Sequence, residues 1–155
     1  MPHKKKSITV PPCCVTAFVA ACRKQGIKAT HQRIEIYREL VCTHEHPDAQ
    51  TIYKRVRRNL PSVSLDTVYR TLRMFADLGL ATRVACLDAC TRFDAVTTRH
   101  HHFTCERCGG IQDVESEPLN AVPVPAEAAA LGCVHSVHVE LRGLCAACLN
   151  AAKDK

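Results

Sequence analysis

The fold of the first half of the chain is decided by SVSLDTVYRTLRMFADLGL, residues 62–80. Ser64 is a good N-cap and Gly79 suits a helix end, so a helix is predicted between them. Apolar residues recur there at three- and four-residue steps, which predicts one buried stripe. The stripe consists of Leu65, Val68, Leu72 and Phe75. The opposite face, which we expect to be exposed, holds Thr67, Arg70, Thr71 and Met74, with Tyr69 and Arg73 at its flanks.

Three further helices are predicted before this segment. Residues 13–25 form the first, which ends at Gly26. Thr30 caps the second, and its buried face holds Ile34, Tyr37, Leu40 and Val41. Asp48 caps the third, whose buried face holds Ile52, Tyr53 and Val56. That helix stops near Pro61, because proline disfavours helix in the residue before it.

Two short β-like runs follow the helices, at residues 81–87 and 91–96, separated by Asp88 and Ala89. Helices followed by a hairpin in this order predict a winged helix-turn-helix, whose last helix enters the major groove of DNA. A small helical domain with an exposed polar face is the alternative.

Charge is divided unevenly along the chain. Residues 1–83 hold 15 of the 21 Lys and Arg residues but 6 of the 15 Asp and Glu residues. A basic half matches the phosphate neutralisation that nucleic-acid binding requires, although basic faces are often only solvated surface. The predicted base and phosphate contacts are Thr67, Tyr69, Arg70 and Arg73. The predicted backbone-positioning charges are Arg55, Arg57 and Arg58.

Beyond Arg92 the pattern changes to short strands at 101–105, 110–115 and 134–143, around an alanine-rich segment at 125–132. Residues 118–125 are proline-rich and are predicted to form the main loop. This pattern predicts a small α+β unit.

Cysteine is abundant, with 11 residues in the chain. An odd number in a cytosolic chain favours metal over a disulfide framework. Cys105 and Cys108 form one Cys-x-x-Cys pair and Cys145 and Cys148 another, which together supply the four thiolates of a tetrahedral Zn²⁺ site. A redox dithiol or an Fe(Cys)₄ centre is the alternative. The other cysteines are interpreted as small hydrophobic residues: Cys13, Cys14, Cys22, Cys42, Cys86, Cys90 and Cys133.

Histidines cluster just before the first cysteine pair. In a strand, His100 and His102 point to the same face, which supplies half of a metal site. The candidates to complete it are His46, Asp94 and Asp113. Nitrogen and carboxylate ligands suit Fe²⁺, Mn²⁺ or Zn²⁺, and one such ion would link the two halves of the chain. The alternative interpretation is that the consecutive histidines are exposed polar residues that bind no metal.

Four segments, taken in order, resemble the motifs of the ferric uptake regulator (Fur) family. They are EHPDAQTIYKRV (45–56), the segment 62–80, TRFDAVTTRHHHFTCERCGGIQDV (91–114) and GLCAAC (143–148). The resemblance covers residues 15–150. It implies a homodimeric repressor that binds an inverted-repeat operator in double-stranded DNA through its winged helix. It also implies a C-terminal dimerisation domain and does not imply an enzyme.

The resemblance assigns the metal ligands. The structural zinc maps onto Cys105, Cys108, Cys145 and Cys148. The regulatory Fe²⁺, Mn²⁺ or Zn²⁺ maps onto His46, Asp94, His100, His102 and Asp113. Asp113 stands where the family's peroxide sensors tend to have aspartate and its peroxide-tolerant iron sensors glutamate. The resemblance therefore favours peroxide sensing, with oxidation of His46 or His100, and an iron- or zinc-level sensor is the alternative.

The chain also departs from the family pattern. A further metal site of many relatives falls here on Arg99, His101 and either Val137 or His138. His31 replaces the proline of the family's Thr-Pro-Gln-Arg turn, a change for which we have no interpretation.

The expected architecture is α+β, a winged helix-turn-helix followed by a small α/β dimerisation domain with a Cys₄ zinc site. The predicted parts are a basic tail (1–12), the winged helix (13–86), the wing end and hinge (87–98), the dimerisation and sensing domain (99–150) and a C-terminal tail (151–155). No apolar run approaches the roughly 20 residues that span a bilayer, and residues 1–10 lack the apolar stretch of a secretory signal. We therefore expect a cytoplasmic protein without membrane contact.

Two function classes compete with a regulator. A metal or thiol redox enzyme could use the same histidines and cysteines, although the chain has no His-Glu-x-x-His motif. The second competing class is a protein-interaction module whose fold is stabilised by zinc and which does not bind DNA. Such a module would not need the basic helix that this sequence predicts.

Overall fold

The computed structural model describes residues 12–43, 45–84, 91–96, 98–135 and 137–153. The chain divides into two compact units, with the boundary between residues 97 and 98. Several predicted features lie outside the described residues. They are the basic tail before Pro12, the turn at Asp88 and Ala89, the predicted boundary at 86/87, Cys86, Cys90, the side chain of Cys13 and the last two residues of the C-terminal tail.

Four helices form most of the first unit: α1 (Pro12–Lys24), α2 (His31–Val41), α3 (Ala49–Val56) and α4 (Leu65–Asp77). The last three begin where the sequence predicts. The side chains of Thr30, Asp48 and Ser64 accept hydrogen bonds from backbone N–H groups in the first turn, which satisfies donors that have no partner within a helix. Gly79 follows α4 with a φ of +68°, a conformation that glycine adopts without steric cost.

The core of the first unit lies between these helices. Ile52, Val56, Val68, Leu72 and Phe75 are fully buried, as the stripes predict. The rings of Phe18 and Tyr37 stack with their centroids 4.3 Å apart, and Phe75 meets both rings edge-on. The core is therefore closed by contacts among α1, α2 and α4.

Two burial predictions were wrong, and one buried residue was missed. Leu65 is 39% exposed because it is the first residue of α4 and lies beyond the core. Thr71 is 7% exposed because that side of α4 faces the start of α2. Ile36, absent from the predicted stripe of α2, is fully buried, since α2 packs against α1 and α4 at once and so buries a wider face.

A hairpin follows the helices, made of β1 (Thr82–Val84) and β2 (Arg92–Asp94). The strands are antiparallel, with Thr82 opposite Asp94. The loop between α2 and α3 lies along β2, since the N–H of Phe93 donates to the carbonyl of Pro47 at 3.0 Å and Asp48 forms a bridge with Arg92. This order of helices and hairpin confirms the winged helix-turn-helix.

The second unit contains a three-stranded sheet in the order β4-β3-β5. Its strands are β3 (His101–Cys105), β4 (Ile111–Val114) and β5 (Glu140–Gly143), and its helices are α5 (Glu117–Asn120), α6 (Ala126–Ala129) and α7 (Ala146–Lys153). β3 is antiparallel to β4 and parallel to β5. The mixed helices and strands confirm the α+β class.

Two local predictions in this unit were wrong. Among the described residues of 134–143, only Glu140–Gly143 lie in a strand. The predicted loop 118–125 begins inside α5, because Pro118 occupies the first turn, where a missing N–H does no harm. No helix in the described part of the chain is long and apolar enough to cross a membrane.

Candidate metal centres and nucleic-acid interface

The two cysteine pairs of the second unit converge. One sulfur from each of Cys105, Cys108, Cys145 and Cys148 lies within 4.8 Å of the others. Cys105 ends β3 and sits opposite Gly143 at the end of β5, so the parallel register of these strands brings the two pairs together. Four thiols at this spacing are arranged for one tetrahedral metal ion, the geometry of closed structural zinc sites.

Backbone groups prepare the cluster for a cation. The N–H of Cys145 donates to the sulfur of Cys105 at 3.3 Å. This bond and a second from the backbone of Cys108 lower the pKa of the Cys105 thiol to about 6. Hydrogen bonding to the Cys145 sulfur, together with burial, raises the pKa of Cys148 to about 12. One thiolate is thus favoured while a neighbour holds its proton, and a bound cation would let all four ionise.

The turn after the first pair has little room for side chains. Gly109 has a φ of +66°, and a Cβ added to Gly110 would lie 3.3 Å from the Cys108 sulfur. A guanidinium N–H of Arg107 donates to the carbonyl of Cys148 at 2.6 Å, which ties the first turn to α7. Sequence reasoning missed Arg107, because its only signal is a position inside a Cys-x-x-Cys pair.

Three predicted ligands meet in the second unit. The Nε2 atoms of His100 and His102 are 2.9 Å apart, and each lies 3.7 Å from Oδ1 of Asp113. Asp113 is directly opposite His102 in the β3–β4 register. This confirms that His100 and His102 share a face, and it places a carboxylate beside both.

The carbonyl of Thr98 orients the His100 ring. It lies 2.8 Å from Nδ1 of His100, and a carbonyl can only accept, so Nδ1 carries the proton. The lone pair of the neutral ring is then on Nε2, the atom that faces His102 and Asp113. The sequence does not predict this role of Thr98, because every residue has a backbone carbonyl and the side chain of Thr98 takes no part in the contact.

The other two predicted ligands meet in the first unit. Nε2 of His46 lies 3.9 Å from Oδ2 of Asp94, and both residues are buried. His46 has a φ of +47°, a left-handed conformation that costs a non-glycine residue about 1–2 kcal/mol. Packing of the 46–48 loop against β2 holds it there. The N–H of Val96 donates to Oδ1 of Asp94 at 2.8 Å, which fixes the carboxylate.

The predicted nucleic-acid contacts differ in accessibility. Tyr69 is 47% exposed, and the Arg70 side chain is 79% exposed with Asp66 3.9 Å away. Arg73, Arg57 and Arg58 are exposed, and Thr67 is half-buried. Arg55 is mostly covered and donates to Glu45 at 2.6 Å, so its charge is already paired. The exposed part of the predicted interface is therefore centred on α4.

His101 is buried and hydrogen-bonded within the second unit. It is 1% exposed, its Nε2 lies 3.1 Å from Oδ1 of Asn120, and its Nδ1 accepts from the N–H of Val139 at 3.2 Å. Both nitrogens are used within the second unit. Arg99 and His138, the neighbouring candidates for a further metal site, are exposed.

The model of the ferric uptake regulator family matches residues 24–141. The chain belongs to this family. It is 35% identical over 130 residues to the peroxide-responsive repressor PerR of Staphylococcus aureus, which covers 84% of this chain and 88% of the relative. This confirms the resemblance found in the sequence motifs.

Solved structures of Fur-family proteins match the same architecture. The peroxide stress regulator of Campylobacter jejuni has a TM-score of 0.66 and 29% identity, with 84% of this chain and 98% of that one covered. The Helicobacter pylori ferric uptake regulator has a TM-score of 0.72 over 93% of this chain and 97% of that one; at 17% identity it shows the shared fold alone. This Fur-family chain is a metal-responsive transcriptional regulator, and its relatives are regulators rather than enzymes.

Proposed function

We propose that this Fur-family chain is a cytoplasmic, homodimeric repressor that senses peroxide. In the proposal, Cys105, Cys108, Cys145 and Cys148 hold a structural Zn²⁺. His46 and Asp94 of the first unit and His100, His102 and Asp113 of the second share one regulatory Fe²⁺ or Mn²⁺. The metal-loaded dimer binds an inverted-repeat operator through Tyr69, Arg70 and their neighbours on α4.

The observation that carries peroxide sensing is Asp113. Its carboxylate lies 3.7 Å from Nε2 of both histidines, a position that the short aspartate side chain reaches from β4. Aspartate here is what the motif resemblance associates with peroxide sensors. The identity with a repressor named as peroxide-responsive supports the same assignment.

The donor set fits the proposed ions. Imidazole and carboxylate ligands suit Fe²⁺, Mn²⁺ and Zn²⁺ alike, so the chemistry of the sensor depends on which ion is loaded. A bound Fe²⁺ would activate hydrogen peroxide by electron transfer, which Mn²⁺ and Zn²⁺ do not do under the same conditions. The chain contributes the target: the ring of His46 or His100 would be oxidised at a C–H by one peroxide oxygen, and the other oxygen would leave as water.

Release of DNA would follow from loss of ligands. An ion held by residues of both units favours one arrangement of the two winged helices in the dimer, in which α4 of each protomer faces successive major grooves. An oxidised histidine binds metal poorly, and the population then shifts away from that arrangement.

The test begins with anaerobic protein that contains zinc and either Fe²⁺ or Mn²⁺. Operator duplexes are selected from a random library with the Mn²⁺ form, and affinity is measured before and after a low dose of hydrogen peroxide. We expect only the Fe²⁺ form to lose DNA, with a mass gain of one oxygen on the peptide containing His46 or His100.

Asp113→Glu is the matched control. It keeps a carboxylate at this position and should leave metal-dependent DNA binding in place while making the Fe²⁺ form tolerant of peroxide. If both metal forms of the unaltered chain keep DNA after peroxide and only chelation releases it, the protein senses metal level. If no duplex is selected at all, the repressor assignment itself is wrong.

A further inference from the structure

A polar groove lies between the start of α2 and one side of α4. It has a volume of about 380 Å³. One side is lined by Thr30, the N-cap of α2, with Gln32 and Arg33, and the other by Thr67, Arg70, Thr71 and Met74 of α4. None of the metal ligands or cysteines of this chain belongs to it, and Arg33 and Thr71 are absent from the predicted DNA contacts.

The groove is electropositive from three sources. Arg33 and Arg70 bring two cationic groups, of which Arg70 has the exposed carboxylate of Asp66 3.9 Å away, and no carboxylate is among the described residues that line the groove. The first turn of α2, an 11-residue helix, adds backbone N–H groups and the positive end of the helix dipole. Arg33 is held in place, because one guanidinium N–H donates to the carbonyl of Lys28 at 2.7 Å, which uses one of its five donors.

Thr71 points independently to a ligand. Its side chain lines the groove although the residue is only 7% exposed. Within the described part of the chain its hydroxyl makes no hydrogen bond and is not fully enclosed, so it can donate to a ligand atom in the groove. Two arginines, a helix start and a hydroxyl together form a site for a phosphate oxygen.

We infer that this groove binds one phosphodiester group of the DNA backbone and so fixes the depth and angle at which α4 enters the major groove. The inference rests on the proposed DNA binding and adds the residues that position the helix. Arg33 and Thr71 contact the phosphate and no base, so they contribute affinity without sequence preference.

The salt dependence of operator binding tests this site. Arg33→Gln should weaken binding of the metal-loaded dimer about tenfold at roughly 0.1 M salt and lower the slope of log K against log salt by about 1, equally for all duplex sequences. Thr71→Val keeps the shape of the side chain and removes the hydroxyl, and should weaken binding about threefold. Arg33→Lys and Thr71→Ser should restore the slope and most of the affinity.

Arg38→Gln is the control on the same helix. Arg38 is bonded to Glu35 and is not among the groove residues, so its replacement should leave the slope unchanged. Unfolding curves and zinc content for each variant identify those that are merely destabilised. Ethylation of single backbone phosphates should reveal one phosphate whose modification blocks DNA binding by the unaltered protein but has no effect on binding by Arg33→Gln.

Two results would overturn the inference while the proposed function stands. In the first, the unaltered chain binds its operator, and the well-folded Arg33→Gln variant binds it with the same salt slope. In the second, inorganic phosphate shifts the NMR signals of Arg33 and Thr71 in the metal-loaded dimer but does not compete with DNA. The groove would then be a site for a small anion. An unaltered chain that binds no DNA contradicts the proposed function instead.

Discussion

Removal of the N-cap of α3 should destabilise the first unit by about 1 kcal/mol. Asp48 accepts a hydrogen bond from the backbone N–H of Thr51 at 2.7 Å, and α3 is only eight residues long. Replacing such a cap by alanine costs about 0.5–2 kcal/mol. Because the bond is short and Asp48 is half-buried, we place Asp48→Ala near the middle of that range. For a unit of this size the loss lowers Tm by about 4–8 °C.

Tyrosine fluorescence measures this loss without interference from the second unit. The chain has no tryptophan, and its three tyrosines, Tyr37, Tyr53 and Tyr69, all lie in the first unit. Urea unfolding followed at the tyrosine emission therefore reports on the winged helix alone. Asp48→Asn is the matched control, since asparagine caps helices about as well as aspartate and should keep most of the stability.

Two results would refute this reasoning. An Asp48→Ala midpoint equal to that of the unaltered chain would mean that the Thr51 bond adds nothing over water. Equal losses in Asp48→Ala and Asp48→Asn would mean that the charge beside Arg92, rather than the cap, stabilises the loop.

Three further predictions follow from burial, space and charge. In the same tyrosine assay, Leu72→Ala should lower the free energy of unfolding by about 2–5 kcal/mol, because Leu72 is fully buried. Leu65→Ala, at a 39% exposed position on the same helix, should lower it by less than about 0.5 kcal/mol. Equal losses would contradict the assigned buried face of α4. Gly110→Ala should speed the release of zinc to a colorimetric chelator, because the added Cβ displaces the Cys108 sulfur. Gly143→Ala is the control and should leave the rate of release unchanged, because its added Cβ makes only an ordinary 3.5 Å contact with Phe103. The hydrogen bond from Arg142 lowers the pKa of Glu140, so its stabilising contribution is present above the usual carboxyl pKa and is lost as pH falls through the lowered value. Circular dichroism should therefore show a shallower acid limb for Glu140→Gln, and an unchanged limb would assign that bond no role in stability.

Features set by a few neighbouring residues could be predicted from the sequence, and those set by packing could not. Thr30, Asp48 and Ser64 each cap a helix through a bond to a residue three positions later, so the start of each helix is a local property. Leu65 and Thr71 lie on the same helix, yet their burial was predicted wrongly. Helical periodicity gives the spacing of a buried stripe, but where the stripe ends depends on how α2 packs against α4.

The proposed metal ligands combine both kinds, because their motifs are short but strand pairing positions several of them. His46 is held by Pro47 and the pairing of its loop with β2, His100 by the carbonyl two residues before it, and Asp113 by its register opposite His102. Each half of the proposed site is thus arranged within its own unit, by hydrogen bonds and strand pairing that a change of ligand leaves in place. Asp113→Glu lengthens one carboxylate by a single methylene on an exposed strand position and need not disturb the β3–β4 register. On the proposed function, the fold can therefore stay constant while this one substitution changes the response to peroxide.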